Sequence, residues 1–299
     1  MMNIGLQDHY WGGVDVLRQT SNYLGVVEGA IYMSRNFKDA DIDYLLATEP
    51  IRSTFGWVPK KKKIFIHMEN ARIWMPTLEM LSEYSIVISP FDLSNIVPSN
   101  SKFIRSFPCV PWFYGIEFCT DSGLLHKPLR SQIELGEMAG LACPTKSKLI
   151  SMIVSGKAGT YGHAWRSELA MAAKKYFGSL IDIYGFGHAP IPDKRIAIDP
   201  YVYSIVIEND CADFYVTEKV VDCLIGWAIP IYSGAEQLDD LLGHQLLRIP
   251  FGCSIDYAIK LIKRALSSGG LTIEVIKNLR YNAMSKLNLF EAVPELLNS

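Results

Sequence analysis

The stretch from Tyr201 to Gly234 reads YVYSIVIENDCADFYVTEKVVDCLIGWAIPIYSG. Its apolar run over 201–207 predicts a buried strand, and the segment from about 217 to 225 has the pattern of a helix. A second apolar run, over 228–232, predicts the next strand. A strand, a helix and a strand in this order are typical of an α/β protein with a parallel sheet.

The first turn of this predicted helix suits an anion. Thr217 stands at the N-cap position, so Glu218 and Lys219 fall in the first turn. Free N–H groups and the positive end of the helix dipole attract negative charge there. A cation is unfavourable at that end of a helix. The presence of Lys219 there is explained if a phosphate binds in front of it. Glu218 can accept hydrogen bonds from ribose hydroxyls, and Tyr215 can pack on a base or ribose. The local pattern alone also fits a capped surface helix with a solvated Glu-Lys pair.

The same alternation extends over the rest of the chain. Strand-like runs occupy 2–6, 30–33, 43–47, 64–67, 85–89, 102–107, 148–154 and 179–184, and helical patterns occupy 163–177 and 255–266. Periodicity is weak between 108 and 144, which places a domain boundary near its end. We therefore expect domains over 1–145 and 146–299. We expect a last helical segment, 271–297, to break at Pro294 and to cross back onto the first domain.

Composition excludes several classes of protein. A chain of 299 residues favours two domains at ~100–200 residues each. A formal net charge of -2 provides no basic surplus for a nucleic-acid surface. The six cysteines form no CxxC pair and have no histidine spacing that suits zinc. We interpret them as reduced thiols rather than as a disulfide framework.

The motifs at 208–209, 215–219 and 230–234 carry a resemblance. They read Glu-Asn, Tyr-Val-Thr-Glu-Lys and Pro-Ile-Tyr-Ser-Gly, in an order and spacing similar to the signature of the α1,3/4-fucosyltransferases, the family 10 glycosyltransferases. The resemblance covers about residues 60–250 and is most specific over 201–234. It implies an α/β fold of the GT-B type, with two facing Rossmann-like domains and parallel sheets. The second domain would bind the nucleotide sugar, and the first would bind the acceptor.

The resemblance also assigns donor-binding residues. It implies that Asn209, Tyr215, Glu218 and Lys219 bind GDP-fucose, with Lys219 on the diphosphate. A second match, SGKAGTYGHAWRSELAMA over 155–172, places Arg166 where the family has a diphosphate-binding arginine. A guanidinium offers a planar fork of donors to phosphate oxygens and stays charged at any working pH. The alternative for Arg166 is an ordinary surface arginine on a helix.

One departure concerns the loop before that helix. The family commonly has an asparagine after the serine, whereas Gly156 follows Ser155 here. The chemistry of this loop therefore differs in detail from the family pattern.

A candidate base lies in the first half of the chain. The segment 64–74 reads IFIHMENARIW, in which a strand ends at Glu69. Ligands of open α/β sheets bind at the carboxyl ends of the strands, and the resemblance assigns the catalytic base to this glutamate. Desolvation in a closing cleft raises the pKa of a carboxylate toward the working pH. The alternative is a strand-end glutamate bonded to neighbouring backbone. We expect a core position for His67, which lies in the same segment.

The loop after the first strand is a candidate for acceptor binding. Residues 7–13 read QDHYWGG and resemble a Trp-Gly loop of bacterial family members. Asp8, Tyr10 and Trp11 can line the acceptor cleft, because aromatic faces stack on sugar rings. A purely structural role for this loop fits the pattern equally well.

The implied activity is inverting transfer of L-fucose from GDP-fucose to a glycan hydroxyl. Arg166 and Lys219 would offset charge on the leaving nucleotide, and no DxD-like motif ends a strand, so we expect no required metal or other cofactor. Three alternatives stay open: the same fold and mechanism with another nucleotide sugar, a nucleotide-sugar-binding protein that no longer transfers, and an unrelated α/β protein with a chance motif. The acceptor and the oligomeric state are not indicated by the sequence.

The expected location follows from the ends and hydropathy of the chain. The sequence begins MMNIGLQDHYWGG, without the basic and apolar regions of a signal peptide, and no stretch approaches the ~20 apolar residues of a membrane span. A membrane-anchored Golgi-type enzyme would carry such a span. We therefore expect a cytoplasmic protein, bacterial or virus-encoded, that can act peripherally at a membrane.

Overall fold

The computed structural model describes residues 1–7, 10–11, 14–34, 37–118, 129–156 and 159–298. The strands are β1 Met2–Leu6, β2 Tyr10–Trp11, β3 Val14–Asp15, β4 Val26–Val27, β5 Ala30–Met33, β6 Tyr44–Ala47, β7 Lys63–Ile66, β8 Ile86–Ser89, β9 Lys102–Arg105, β10 Ile116–Phe118, β11 Leu129–Gln132, β12 Lys148–Ile153, β13 Ile181–Tyr184, β14 Tyr201–Ile207, β15 Ile229–Ser233 and β16 Leu247–Arg248. The α-helices are α1 Leu78–Leu81, α2 Leu135–Gly140, α3 Tyr161–Phe177, α4 Arg195–Ile198, α5 Glu218–Ile225, α6 Leu238–Leu242, α7 Ile255–Ser267, α8 Ile273–Lys286 and α9 Leu289–Asn298.

Two sheets organise these elements. The first has the strand order β4-β5-β1-β6-β7-β8-β9, with β4 antiparallel to β5 and the other pairs parallel. The second has the order β13-β12-β14-β15-β16, and all its pairs are parallel. Continuous apolar runs fit such strands, because helices cover both faces of a parallel sheet. The α/β class with parallel sheets, predicted from the sequence, is confirmed. In each sheet the carboxyl ends of the parallel strands share one edge, and Glu69 and Asn209 each follow a strand at such an edge.

The segment between β9 and β12 connects the two sheets and is hydrogen-bonded to residues of both halves of the chain. Phe113 and Tyr114 donate their backbone N–H groups to the buried carboxylate of Asp222 on α5, at 2.9 and 2.8 Å. On the other side, the fully buried Arg18 donates to the carbonyl oxygens of Trp112 and Tyr114. The boundary predicted at residue 145 falls between this segment and β12, which begins at residue 148.

The C-terminal segment forms two helices, and the predicted break at Pro294 is wrong. The break lies between α8 and α9, where Asn288 accepts the N–H of Phe290 at 3.1 Å and so caps α9. Pro294 lies inside α9, where its ring nitrogen leaves the Phe290 carbonyl without its helical donor. The hydroxyl of Tyr32 on β5 donates to that carbonyl at 3.0 Å. The helix therefore continues through the proline, and α9 packs against the first sheet.

Candidate functional site

The carboxyl end of β14 holds a buried carboxylate that closes the following loop. Glu208 is fully buried and accepts the Thr217 N–H at 3.0 Å, the Thr217 hydroxyl at 2.6 Å and the Lys219 ammonium at 3.2 Å. A buried charge requires such partners, because leaving it unpaired in a low dielectric is costly. Glu208 thus fixes the start of α5 to the end of β14, and sequence analysis had treated it only as part of a motif.

The start of α5 agrees with the prediction in position and differs from it in contacts. The helix begins at Glu218, and Thr217 is its N-cap residue. Among the described groups, however, the Thr217 side chain makes no capping bond to the helix. Its hydroxyl instead donates to Glu208 and accepts from Lys219, at 2.6 Å each. The hydroxyl is therefore used to hold the carboxylate and the ammonium in place rather than to satisfy the first N–H groups of the helix.

Arg166 connects two strand ends beneath the site. It lies on α3, is 4% exposed, and donates to Asn209 Oδ1 at 2.8 Å and to Ser155 Oγ at 3.2 Å. Its Nε is buried without a partner among the described groups. Burial lowers the pKa of Arg166, and the charge of Glu208 opposes that shift. The guanidinium has one unsatisfied donor. A positively charged group of this kind can pair with an anion that enters the site.

The start of α3 lies directly against Asn209. A methyl group built on Gly162 would overlap the carbonyl oxygen of Asn209, which is backbone and cannot turn aside. We expect Gly162→Ala to lower the free energy of unfolding by about 1–3 kcal/mol, although alanine normally favours a helix over glycine. The displaced Asn209 would also withdraw the acceptor of Arg166.

Chemical denaturation measures this loss of stability. The matched control is Gly159→Ala, just before α3, where an added methyl group meets no atom of the described residues within 4 Å. Unchanged stability in Gly162→Ala would contradict the close approach of α3 to Asn209.

Glu218 lies between two ammonium groups. Its Oε1 accepts from Lys194 at 3.1 Å, and its Oε2 lies 3.9 Å from Lys219 Nζ. Burial alone would raise the pKa of Glu218, but the charges of Lys194 and then Lys219 outweigh it and lower the pKa to about 2. The carboxylate is therefore ionised at any physiological pH and acts as a hydrogen-bond acceptor. Sequence analysis missed Lys194, which lies just before α4.

Glu69 lies at the corresponding edge of the first sheet. It follows β7, its side chain is exposed, and its Oε1 accepts the N–H of Asn70 at 2.8 Å. Asn70 is fully buried, and its Oδ1 accepts the N–H of Arg72 at 2.7 Å. The predicted core position of His67 is confirmed, since it is fully buried and its Nε2 lies 3.2 Å from the Trp74 carbonyl oxygen. These bonds fix the loop that presents Glu69.

The loop between β14 and α5 touches the first domain. Tyr215 is 1% exposed, and its ring packs on Phe91 with centroids 5.3 Å apart. Burial raises the pKa of Tyr215, and the charges of Glu208 and then Glu69 raise it further. The negative charge of Glu69 therefore acts electrostatically on Tyr215 in the loop of the second domain. The role of Tyr215 in donor binding stays a prediction, because here its ring is covered by protein.

Two ion pairs span the same junction. Arg72 pairs with Asp210 at 3.2 Å, and Arg105 pairs with Asp213 at 2.9 Å. Both aspartates belong to the loop that precedes α5, and both arginines belong to the first domain. The ion pair of Arg72 with Asp210 thus joins the loop that precedes α5 to the loop of the first domain that carries Glu69.

The predicted acceptor residues are described only in part. Asp8 lies outside the described residues. Tyr10 and Trp11 form β2, which pairs antiparallel with β3, and their side chains lie outside the description. Their role in acceptor binding stays a prediction.

Metal-binding clusters and membrane-spanning helices are both absent from the described ranges. No group of three or more histidine, cysteine, aspartate or glutamate side chains there could hold a metal ion. Likewise, none of the helices in those ranges has both the length and the apolar character needed to cross a bilayer.

Comparison with solved structures identifies the fold. An α1,3-fucosyltransferase structure matches with a TM-score of 0.50 at 15% identity, over 94% of this chain and 81% of that one. Structures of α1,3-fucosyltransferase with GDP and with GDP-fucose give TM-scores of 0.48 and 0.47, at the same identity and coverage. No protein-family model matches the chain, and comparison with curated proteins gives no match. The predicted GT-B fold, with two Rossmann-like domains, is confirmed.

Proposed function

We propose that this chain is an inverting glycosyltransferase that moves L-fucose from GDP-fucose to a hydroxyl group of a glycan. The observation that carries the proposal is the cluster at the carboxyl edge of the second sheet. Arg166 and Lys219 provide two cations there, beside the ionised Glu218. Cations for a diphosphate next to an acceptor for ribose hydroxyls match the chemistry of a nucleoside diphosphate sugar.

The reaction needs a base on the opposite side of the sugar from the nucleotide. Glu69 takes the proton of the acceptor hydroxyl as that oxygen forms a bond to the anomeric carbon. The bond from the anomeric carbon to the diphosphate breaks, and its electron pair leaves with GDP. Arg166 and Lys219 offset the negative charge that grows on the leaving group, as metal ions do in other transferases. Displacement from the opposite face inverts the anomeric centre and gives an α-linkage from a β-linked donor.

Nucleotide binding is the first test. We expect GDP and GDP-fucose to raise the melting temperature of the protein, and UDP and dTDP to leave it unchanged. A ligand at about 100 times its Kd adds ~2.7 kcal/mol of stability. Each kcal/mol corresponds to roughly 2–4 °C for a chain of this size. Mass-spectrometric detection of released nucleotide, with each binding donor and a panel of glycans, then tests transfer.

The outcomes separate the alternatives. A rise in melting temperature with a different nucleotide sugar would be consistent with the fold and mechanism but would overturn the fucosyl assignment. Binding without nucleotide release on any acceptor would favour a nucleotide-sugar-binding protein that does not transfer. Absence of a shift with every nucleotide would remove the proposal itself.

A further inference from the structure

Lys194 lies at the centre of an ion cluster that no sequence motif indicated. Its ammonium lies 2.6 Å from Asp222 Oδ2 and 3.1 Å from Glu218 Oε1, over the ring of Phe113 at 5.1 Å from the centroid. The side chains of Lys194, Glu218 and Asp222 are 21%, 15% and 1% exposed. Charges so far removed from water interact strongly, because little solvent screens them.

The contacts of Glu218 are unequal on its two oxygens. Oε1 accepts a hydrogen bond from Lys194, whereas Oε2 lies 3.9 Å from Lys219, beyond hydrogen-bond distance. Lys194 thus fixes the carboxylate through Oε1, and Oε2 keeps lone-pair capacity for a ligand. The buried Asp222 holds Lys194 from the other side and is itself fixed by the N–H groups of Phe113 and Tyr114.

Lys194 also influences which carboxylate the Lys219 ammonium pairs with. Lys219 pairs with Glu208 at 3.2 Å and is the next cation from Glu218. Without Lys194, the unpaired Glu218 carboxylate would draw the Lys219 ammonium toward it. Lys194 therefore keeps the two donor-site groups separate, with Glu218 as an acceptor and Lys219 as a cation beside Glu208.

We propose that Lys194 is a positioning residue for donor recognition: it holds Glu218 so that the free carboxylate oxygen accepts hydrogen bonds from the ribose hydroxyls of the nucleotide. The inference rests on the proposed function, since it requires a nucleotide at this site. It predicts that removal of Lys194 abolishes the contribution of the ribose hydroxyls to nucleotide affinity, in addition to any general loss of affinity.

The experiment measures calorimetric affinities for GDP and for 2′,3′-dideoxy-GDP, which lacks both hydroxyls. Hydrogen bonds to a charged group contribute about 1.5–3 kcal/mol, so we expect the wild type to prefer GDP by roughly 10-fold to 100-fold. In Lys194→Met this preference falls to about threefold or less, and in Lys194→Arg most of it returns. Glu218→Gln reduces the preference in the same way.

The matched control is Lys146→Met. Lys146 is a partly buried lysine of the same domain that donates to the carbonyl oxygens of Asp199 and Gly226. Its loss disturbs the fold without touching Glu218, so the preference for GDP is retained. Where Lys194→Met does not fold, the double variant Lys194→Met/Asp222→Asn removes one unpaired charge and serves for the same measurement.

Two results would overturn the inference and leave the proposed function in place. One is an equal loss of affinity for both nucleotides in Lys194→Met, which would make Lys194 a purely structural residue. The other is a full preference for GDP in Glu218→Gln, which would place the hydroxyls elsewhere. Absence of GDP binding by the wild type, in contrast, would remove the proposed function.

Discussion

Replacement of Glu69 by glutamine lowers kcat by about 10²–10⁴ if this carboxylate is the base. Glutamine keeps the size and shape of the side chain but cannot take the proton of the acceptor hydroxyl. Glu69 is exposed, and its one hydrogen bond among the described groups is with the N–H of Asn70. We therefore expect little change in the free energy of unfolding, and donor affinity survives because the donor-site cations belong to the other domain.

The measurement combines steady-state transfer with donor titration. Glu79→Gln, which changes an exposed glutamate on α1 of the same domain, is the matched control and keeps wild-type turnover. Near-wild-type turnover in Glu69→Gln would exclude Glu69 from this role.

Local signals made the second sheet predictable. The run over 201–207 is continuously apolar apart from one serine, and β14 has these bounds. Thr217 is a preferred N-cap residue, and α5 begins immediately after it. In both cases one element carries its own signal in a few neighbouring residues, so tertiary contacts are not needed to find it.

The contacts within the site were less predictable, because they join residues far apart in sequence. Lys194 precedes Glu218 by 24 residues, and no local pattern marks it as a partner. Glu208 and Lys219 are both motif residues, but their pairing depends on how α5 returns to the end of β14. The stacking of Tyr215 on Phe91 depends on the approach of the two domains.

The end of the chain shows how a tertiary contact overrides a local rule. Proline inside a helix normally breaks it, because one carbonyl loses its donor. The Tyr32 hydroxyl supplies that donor from the first sheet, so α9 continues through Pro294. The true start of α9 had a sequence signal, since Asn288 is a good N-cap residue and Glu291 follows at the third helical position.

Lys219 pairs with Glu208 in the fold, and we propose a second role for it in the reaction. A double-variant cycle separates the two. Lys219→Met leaves the fully buried Glu208 without its cation. Breaking a buried pair from one side costs about 3–5 kcal/mol, and the 21% exposure of the Lys219 side chain favours the lower end of that range. Glu208→Gln costs less, because the remaining ammonium can turn toward water.

The double variant Glu208→Gln/Lys219→Met removes both charges, so we expect it to recover about 1–3 kcal/mol relative to the sum of the single changes. The control is Lys148→Met, which breaks an ion pair with Asp182 whose side chains are 50% and 36% exposed at the opposite edge of the sheet. Exposed pairs contribute about 0–1 kcal/mol, so this variant stays close to wild type in stability and turnover.

Activity then reports on the second role of Lys219. If its ammonium offsets charge on the departing diphosphate, the double variant stays slow by about 10²-fold or more in kcat/KM, because part of the stability has returned while the cation has not. Recovery of wild-type transfer together with stability would mean that Lys219 serves only to neutralise Glu208, and the charge on the leaving group would fall to Arg166 alone. The cycle thus distinguishes two roles for the Lys219 ammonium. Either its pairing with the buried Glu208 carboxylate positions it to bind a phosphate, or that pairing is its only function.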